Sequence, residues 1–333
     1  MARLSVGEAA RAVGGRITAG DPDAMIEGAA IDSRAVHGGE AFFAYKGEHT
    51  DGHRFVADAL AKGAAVAVVQ EDVPAPVSGA VIRVEDTFKA LHDLARTVRT
   101  RVPEKLVGIT GSAGKTTTKE LLGAILGSRF RTAWTPGNLN NLYGFPLSLL
   151  NVPDGTEWMV AEMGMSTPGE LRELSLLGRP DAAVFTVVRP VHLEFFPDVQ
   201  AIAEAKSEIL AGLAPGGFIV ANADDPEVTR IAKRHGARVV WYGKNAEVRA
   251  LDLSPEPGGA VGSRFRLEAG GRSVEVRLPL HGLYNVENFL AAAACAWTLG
   301  LSLEEIAAAA PNVKPASMRG VVHRTEAGFT LVD

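Results

Sequence analysis

Cysteine is nearly absent from this sequence, which has one, Cys295, among its 333 residues. A single cysteine excludes an internal disulfide framework and a zinc site built from thiolates. The residue stands in the alanine-rich run AAAACAW. This context predicts a thiol that is buried in a helix and does not act as a nucleophile.

Long apolar runs are also missing. No stretch approaches the roughly 20 apolar residues that a membrane-spanning helix needs, and the opening MARLSVGEAARAVGG lacks the apolar core of a secretory signal. We therefore expect a cytoplasmic protein with no membrane span. An excess of positive charge is lacking too, because the formal net charge is −5, and this argues against nucleic-acid partners.

Apolar residues are abundant, at 47% of the chain, which excludes wholesale disorder, and the length predicts about two domains. Residues 1–103 alternate short helical patterns with β-rich runs and predict a small N-terminal α/β domain. Its last helical pattern predicts a helix over 87–101 that ends before Pro103. Residues 104–313 alternate unbroken apolar strands with helical patterns, which is typical of a mostly parallel sheet. Within them, RFRLEAGGRSVEVRL predicts an appended antiparallel segment. Residues 314–333 end on the strand pattern GFTLVD, which we interpret as a linker and the first strand of a truncated C-terminal domain.

A glycine-rich turn follows the apolar strand LVGIT and precedes a helical pattern. The turn consists of Gly111, Ser112, Ala113, Gly114, Lys115, Thr116 and Thr117. Such a turn wraps backbone N–H groups around phosphates, with Lys115 reaching the β/γ-phosphates of ATP and Thr116 binding Mg²⁺. The alternative is a glycine-rich turn with a surface lysine, since Gly111 and Gly114 are separated by two residues and the strict pattern has four.

Polar residues at the ends of apolar strands are further candidates, because ligands of α/β sheets bind there. Glu162 closes the strand WMVA, and His192 follows FTVVRPV. Lys206, in the helix pattern IAEAKSEIL, reads by itself as part of a solvated face. The loop with Asn138, Asn140 and Asn141 is either a turn-rich connection or a site that recognises a polar substrate through its amides.

Together these residues resemble the Mur ligase family, the ATP-dependent ligases of bacterial cell-wall precursor synthesis. The likeness is collinear over essentially the whole chain, and its motifs are IDSR at 31–34, GEAFFAYKG at 39–47, DGH at 51–53, GSAGKTTTKE at 111–120, GNLNN at 137–141, AEMG at 161–164, HLE at 192–194, AKSE at 205–208, NADD at 222–225 and NVEN at 285–288. The resemblance implies three domains, of which the third, Rossmann-like one is absent from this chain.

The resemblance implies a monomeric amide ligase that adds D-alanyl-D-alanine to UDP-N-acetylmuramoyl-tripeptide through an acyl phosphate. Two Mg²⁺ ions would be bound by Thr116, Glu162, His192 and Lys206, the last after carbamoylation by CO₂. Asn285 and Asn288 would contact the adenine end of ATP, and Arg319 would lie near the γ-phosphate. Ser33, Arg34, Lys46, Asp51, Gly52 and His53 would hold the uridine-diphosphate end, and Asn138, Asn140 and Asn141 the muramoyl peptide.

Two departures from the family stand out. Tyr284 occupies a position where the family usually has His, and the missing third domain predicts an inactive or impaired fragment that still binds its UDP-linked substrate. Other readings remain: a sibling ligase adding a diamino acid to the UDP-muramoyl-dipeptide or glutamates to folate, a binding-only fragment, or a P-loop kinase or GTPase. The guanine-specifying pattern Asn-Lys-x-Asp of a GTPase is not present.

Overall fold

The computed structural model describes residues 4–47, 50–74, 78–102, 104–191, 193–256, 262–313, 322–324 and 330–332. The chain divides into two compact units. Unit 1 consists of Met1–Pro103 and Leu142–Asp154, and unit 2 of Glu104–Asn141 and Gly155–Asp333. Residues 142–154, which the sequence assigned to the segment 104–313, therefore belong to the first unit.

Unit 1 is an α/β layer structure. Its elements are β1 (Leu4–Ser5), α1 (Val6–Ala12), β2 (Arg16–Ala19), β3 (Met25–Ile26), β4 (Gly28–Ala30), β5 (Glu40–Phe43), α2 (Val56–Ala61), β6 (Val66–Val69), β7 (Ala80–Arg83), α3 (Thr87–Arg101) and α5 (Gly144–Leu150), with 3₁₀ turns at Ser33–Ala35 and Gly52–Phe55. The main sheet has the order β2-β7-β6-β5-β4 and is parallel except for β2 against β7. β1 and β3 form a separate antiparallel pair.

Helix α3 has the bounds that the sequence predicted. The side chain of Asp86 accepts hydrogen bonds from the N–H groups of Phe88 and Lys89 at 2.7 and 3.1 Å, which is a typical helix N-cap. Its buried face includes Leu91, Leu94 and Val98. Helix α5 packs against this helix within unit 1.

Unit 2 is built on a larger sheet. Its elements are β8 (Lys105–Thr110), α4 (Lys115–Gly127), β9 (Thr132–Trp134), β10 (Trp158–Glu162), α6 (Glu170–Gly178), β11 (Ala182–Phe185), α7 (Val199–Ser207), β12 (Phe218–Asn222), α8 (Pro226–His235), β13 (Arg238–Tyr242), β14 (Arg249–Pro255), β15 (Ser263–Ala269), β16 (Arg272–Leu278), α9 (Leu283–Thr298), α10 (Leu303–Ala309), β17 (Val322–Arg324) and β18 (Thr330–Val332), with 3₁₀ turns at Glu208–Gly212 and Ala310–Asn312.

The six-stranded sheet of unit 2 has the order β13-β12-β11-β8-β10-β9 and is parallel throughout. Strand β8 lies between β10 and β11. After β8 the chain forms β9 and β10 on one side of this strand, and it then forms β11, β12 and β13 on the other side. The carboxyl end of such a strand is a topological switch point, where ligands of doubly wound sheets bind. The predicted fold class, with a mostly parallel sheet and an appended antiparallel segment, is confirmed.

The appended segment is the antiparallel sheet β14-β15-β16. Gly270 and Gly271 form the predicted turn between β15 and β16, with φ angles of 57° and 74°, as a tight hairpin requires. Helix α9 is buried along most of its length, and Cys295 in it is fully buried, as predicted. Burial raises the pKa of this thiol, so it stays protonated. Among the described residues, no helix is both long and apolar enough to cross a membrane.

Candidate active site

The glycine-rich turn leaves the carboxyl end of β8 and leads directly into α4. Its two glycines have φ angles of 151° at Gly111 and 84° at Gly114, which side chains rarely tolerate. A Cβ on Gly111 would overlap the hydroxyl oxygen of Thr186, and one on Gly114 would overlap the side-chain oxygen of Asn288. Glycine is therefore required at both positions. The turn delivers the N-terminus of α4 to the switch point, and a helix N-terminus stabilises an anion.

The segment that follows β11 holds this turn in place. The hydroxyl of Thr186 donates to the carbonyl of Ala113 at 2.6 Å. The N–H of Ser112 donates to the carbonyl of Val187 at 2.7 Å, and its hydroxyl donates to the carbonyl of Arg189 at 3.0 Å. The shape of the turn is thus fixed by the protein itself, which lowers the ordering cost of binding an anion.

A cavity of about 250 Å³, here called the lysine cavity, opens beside the turn. It is lined by Gly111, Ser112, Lys115, Asn140, Asn141, Gly164, Met165, Ser166, Glu170, Val191 and Lys206. The structure therefore brings Lys115 and Lys206 together with two of the three loop asparagines. Asn138 is exposed and is not among the lining residues.

Lys206 is not part of a solvated face, because its side chain is buried and only 3% of the residue is exposed. Burial and, to a lesser extent, the charge of Lys115 lower the pKa of Lys206 from 10.5 to about 7. A substantial fraction of this amine is therefore neutral near neutral pH. The ammonium of Lys115 donates to the carbonyl of Gly111 at 2.9 Å.

Glu162 ends β10 with its carboxylate buried against the start of α4. One carboxylate oxygen accepts the hydroxyl of Thr116 at 2.7 Å, and the other accepts the side-chain amide of Asn140 at 2.7 Å. The N–H of Glu162 donates to the hydroxyl of Thr135 at 3.1 Å. A hydroxyl and a carboxylate oxygen side by side are hard oxygen donors, so these residues fit Mg²⁺.

A second cavity, of about 340 Å³, also borders the glycine-rich turn. It is lined by Ala113, Gly114, Thr117, Thr186, Val187, Tyr242, Tyr284, Asn285, Glu287 and Asn288. Both predicted asparagines are present, and the side-chain amide of Asn285 donates to the carbonyl of His281 at 2.8 Å. The sequence reasoning missed Thr186 and Tyr242, which lie far apart along the chain and carry no motif of their own. It also assigned no role to Glu287, which stands inside the motif NVEN.

Unit 1 has a cavity of about 610 Å³. It is lined by Ile31, Asp32, Ser33, Arg34, Tyr45, Lys46, Gly47, Thr50, Gly52, Phe55 and Tyr143. Four of the six residues that the sequence assigned to this unit are among them. The aromatic rings were missed, and Phe55 and Tyr143 are 42% and 45% exposed. No sequence signal links Tyr143 to residues almost one hundred positions earlier.

Asp51 and His53, the other two predicted residues, bond to each other and to the framework. Nδ1 of His53 lies 2.7 Å from Asp51, and the N–H of Gln70 donates to Nε2 at 3.0 Å. Nε2 is therefore an acceptor and Nδ1 the donor. Asp51, His53 and Glu71 have ligand atoms within 4.8 Å of one another, but both ring nitrogens are engaged. These residues support the turn that carries Gly52 and do not resemble a metal site.

Two predicted site residues, His192 and Arg319, lie outside the described residues. Their expected contacts stay predictions. The segment that leads to His192 is described as far as Val191, which lines the lysine cavity.

Two family models match the chain. The Mur ligase middle domain matches residues 109–296, and the Mur ligase family catalytic domain matches residues 25–99. The first covers the glycine-rich turn, Glu162, Lys206 and both asparagines of the second cavity, and the second covers the residues that line the cavity of unit 1 except Tyr143.

Curated relatives and solved structures agree with this match. The UDP-N-acetylmuramoyl-tripeptide–D-alanyl-D-alanine ligase of Bacillus subtilis is 35% identical over 93% of this chain, and that of Escherichia coli is 36% identical over 88%. The chain spans 66% and 64% of the length of these two relatives.

Crystal structures of MurF superimpose on this chain. MurF from Acinetobacter baumannii superimposes with a TM-score of 0.88 at 33% identity, covering 97% of this chain and 71% of that one. MurF ligase from Thermotoga maritima in complex with ADP superimposes with a TM-score of 0.79 at 31% identity, covering 92% and 70%. By sequence, by architecture and by the residues gathered around its glycine-rich turn, the chain belongs to the Mur ligase family.

Proposed function

We propose that the protein containing this chain is an ATP-dependent amide ligase of peptidoglycan-precursor synthesis. It joins UDP-N-acetylmuramoyl-tripeptide to D-alanyl-D-alanine and releases ADP and phosphate. The observation that carries the proposal is the lysine cavity, in which Lys115, Lys206 and the loop asparagines meet at the glycine-rich turn. The names of the relatives that cover most of this chain support the choice of substrates.

The reaction needs ATP because a carboxylate does not form an amide with an amine directly, since oxide is a poor leaving group. The tripeptide carboxylate attacks the γ-phosphorus, the bond to ADP breaks, and an acyl phosphate forms. The amine of D-alanyl-D-alanine then attacks the acyl carbon, loses a proton, and phosphate leaves. Phosphoryl transfer depends on positioning and charge neutralisation more than on a protein nucleophile. Lys115 and the N-terminus of α4 supply both at the glycine-rich turn.

Thr116 and Glu162 are the described residues best suited to hold Mg²⁺, and His192 and Lys206 complete the expected set for two ions. Mg²⁺ held by these residues would neutralise phosphate charge and polarise the phosphorus–oxygen bonds. Lys206 becomes a ligand when its neutral amine adds to CO₂ and releases a proton, which gives an anionic carbamate. The burial of Lys206 and the lowered pKa of its amine favour this addition.

The substrates are distributed over the three cavities. The adenine end of ATP occupies the second cavity beside Asn285 and Asn288, with Arg319 near the γ-phosphate. The uridine-diphosphate end occupies the cavity of unit 1, against Ser33, Arg34 and Lys46, on the turn that Asp51, Gly52 and His53 form. Asn138, Asn140 and Asn141 bind the muramoyl peptide. We expect the reaction in the cytoplasm, where ATP is available.

The decisive experiment compares the complete gene product with its Lys115→Ala variant in an assay of ATP-dependent phosphate release. We expect turnover to disappear in the variant, because one fixed charge at the transferred phosphate is lost. The control is Lys89→Ala, which removes an exposed lysine paired with Asp93 on α3. Wild-type turnover in Lys115→Ala would contradict the proposal.

A panel of amines identifies the second substrate. D-alanyl-D-alanine should support turnover with the UDP-linked tripeptide, whereas a diamino acid with the UDP-linked dipeptide, or glutamate with folate, should not. Turnover with either of the latter pairs would identify a sibling ligase instead. Isothermal titration of the 333-residue chain itself with the UDP-linked tripeptide, and then with ATP, measures which substrates it binds without turnover.

A further inference from the structure

Lys119 is a fully buried lysine that belongs to the motif at 111–120 but has no role assigned to it so far. It lies on α4 one turn after Lys115, and its exposed fraction is 0%. A buried ammonium is costly unless it is hydrogen-bonded and paired. An ammonium therefore occupies a position where an apolar side chain would be expected.

The partners of Lys119 lie at the start of the asparagine loop, defined here as residues 135–141. The ammonium donates to the carbonyl of Thr135 at 2.7 Å and to the carbonyl of Gly137 at 2.9 Å. It also lies 3.1 Å from the carboxylate of Glu120. Two backbone carbonyls of the loop accept hydrogen bonds from the ammonium, and the Glu120 carboxylate lies at ion-pair distance, so Lys119 links α4 to this loop.

The asparagine loop is also bonded to β10, at its start through the N–H of Thr135, which donates to the carbonyl of Val160 at 3.1 Å, and at its far end through Asn140. The side-chain amide of Asn140 donates to Glu162, and its carbonyl accepts the N–H of Gly164 at 2.7 Å. Between these attachments the loop carries Asn138, and Asn141 follows directly after Asn140. Lys119 therefore attaches the loop to the helix that begins with Lys115 and Thr116, while Glu162 attaches it to the strand beside β8.

We propose that Lys119 is a positioning residue that holds the asparagine loop in register with the glycine-rich turn. It sets the affinity for the muramoyl-peptide substrate without contacting that substrate or ATP. The inference rests on the proposed function, because it assumes that the asparagines bind the muramoyl peptide. Removal of the ammonium frees two backbone carbonyls and lets the loop leave the position in which Asn140 and Asn141 line the lysine cavity.

The experiment uses the 333-residue chain and its variants Lys119→Met, Lys119→Gln and Lys244→Met. Methionine keeps the length of the side chain and removes the donors, and glutamine keeps donors without the charge. Lys244 is an exposed lysine of the same unit and serves as the control. Isothermal titration with UDP-N-acetylmuramoyl-tripeptide and with a non-hydrolysable ATP analogue measures both affinities, and amide hydrogen exchange follows residues 135–141.

We expect Lys119→Met to bind the UDP-linked tripeptide about tenfold to a hundredfold more weakly, as the loss of charged hydrogen bonds implies. Lys119→Gln should fall between Lys119→Met and wild type, and the affinity for the ATP analogue should change less than about twofold. Hydrogen exchange should accelerate in residues 135–141 and not in the glycine-rich turn. If Lys119→Met does not fold, the affinity of Lys119→Gln for the UDP-linked tripeptide tests the inference.

Other outcomes overturn the inference. Unchanged affinity for the UDP-linked tripeptide in both variants would mean that Lys119 does not position the loop. An equal loss of both ligands with faster exchange throughout unit 2 would mean that Lys119 only stabilises the unit. If the wild-type chain binds no UDP-linked tripeptide, the proposed function fails at that point. Hydrogen exchange then still decides whether Lys119 holds the loop.

Discussion

At the scale of single residues, Lys206 is the clearest case in which burial overturns a reading of the sequence. Its helical spacing beside Glu204 and Glu208 is typical of a solvated face, yet the side chain is buried in the lysine cavity. The glutamates are occupied elsewhere: Glu204 pairs with Arg230, and Glu208 accepts the N–H of Gly169 at 2.9 Å. The spacing of charges thus identified the helix but not which of its faces meets solvent.

The lowered pKa of Lys206 predicts a pH-dependent stability. Between pH about 7 and 10.5 the unfolded chain binds a proton that the folded chain does not, so the free energy of unfolding of the wild type rises with pH in this window. Lys206→Met lacks this dependence. We expect its stability relative to wild type to be roughly 2 kcal/mol more favourable at pH 6 than at pH 9.

Urea unfolding in CO₂-free buffer checks this expectation, because a carbamate would replace the amine. Lys244→Met, at an exposed position, is the control and should show no such difference. A constant difference between Lys206→Met and wild type from pH 6 to pH 9 would show that the amine titrates normally.

Tyr284 allows a second prediction at this scale. It is 57% exposed and lines the second cavity beside Asn285, so its ring is available to stack on a nucleotide base. We expect Tyr284→Ala to weaken ATP binding about fivefold to tenfold, as the loss of one aromatic contact implies, with little change in stability. Tyr284→Phe should retain the affinity.

Isothermal titration with a non-hydrolysable ATP analogue measures this effect. Leu283→Ala is the matched control, since Leu283 is 66% exposed and is not among the residues that line the cavity. Equal affinities in Tyr284→Ala and Leu283→Ala would exclude a contact between the tyrosine and the base.

At the scale of elements, the glycine-rich turn and α4 are continuous, and a glycine-to-alanine substitution should change stability in opposite directions at their two ends. Gly111 has a φ of 151° and its Cβ would overlap Thr186, whereas Gly127 at the end of α4 has nothing within 4 Å of a Cβ. We expect Gly111→Ala to destabilise the protein by about 1–3 kcal/mol. Gly127→Ala should stabilise it by up to about 1 kcal/mol.

Urea unfolding of both variants tests the contrast, and nucleotide titration should show a loss of ATP affinity in Gly111→Ala alone. If the two variants were equally stable, the turn would not have the strained geometry described above.

The same segment shows what the sequence can predict. The strand, the turn and the helix each depend on residues that are neighbours in the chain, so LVGIT and the glycines predict them. The partners Thr186 and Asn288 come from distant segments, and no local pattern identifies them.

At the scale of the whole chain, unit 1 is assembled from two separate stretches of sequence. Asn151, which follows α5, accepts the N–H of Ala29 and donates to its carbonyl, both at 2.9 Å. Nε2 of His92 on α3 lies 2.7 Å from the carbonyl of Leu142. Buried Phe145, Leu149 and Leu150 add an apolar contact surface. Residues 1–103 alone therefore lack part of their own core.

We expect a fragment of residues 1–103 to be less stable than a version in which residues 142–154 are fused through a flexible linker. Each buried side chain supplied by α5 contributes about 1.5–3 kcal/mol relative to exposure. Thermal unfolding and binding of a hydrophobic dye measure the difference. In the fused version, Asn151→Ala should reverse part of the gain, whereas a substitution at an exposed position such as Asp23→Ala should not. Equal stability of both fragments would contradict the division of the chain.

The sequence by itself determined the local elements: the apolar strands of a parallel sheet, the glycine-rich turn with Lys115, the helix at 87–101 and the hairpin at Gly270 and Gly271. These follow from side-chain periodicity and backbone conformation, which involve neighbouring residues. Only the tertiary structure decided that Lys206 is buried, that Glu162 joins Thr116 to Asn140, and that residues 142–154 complete unit 1. Burial, pKa and cavity lining depend on segments that are distant in the chain and meet only when the sheet is assembled.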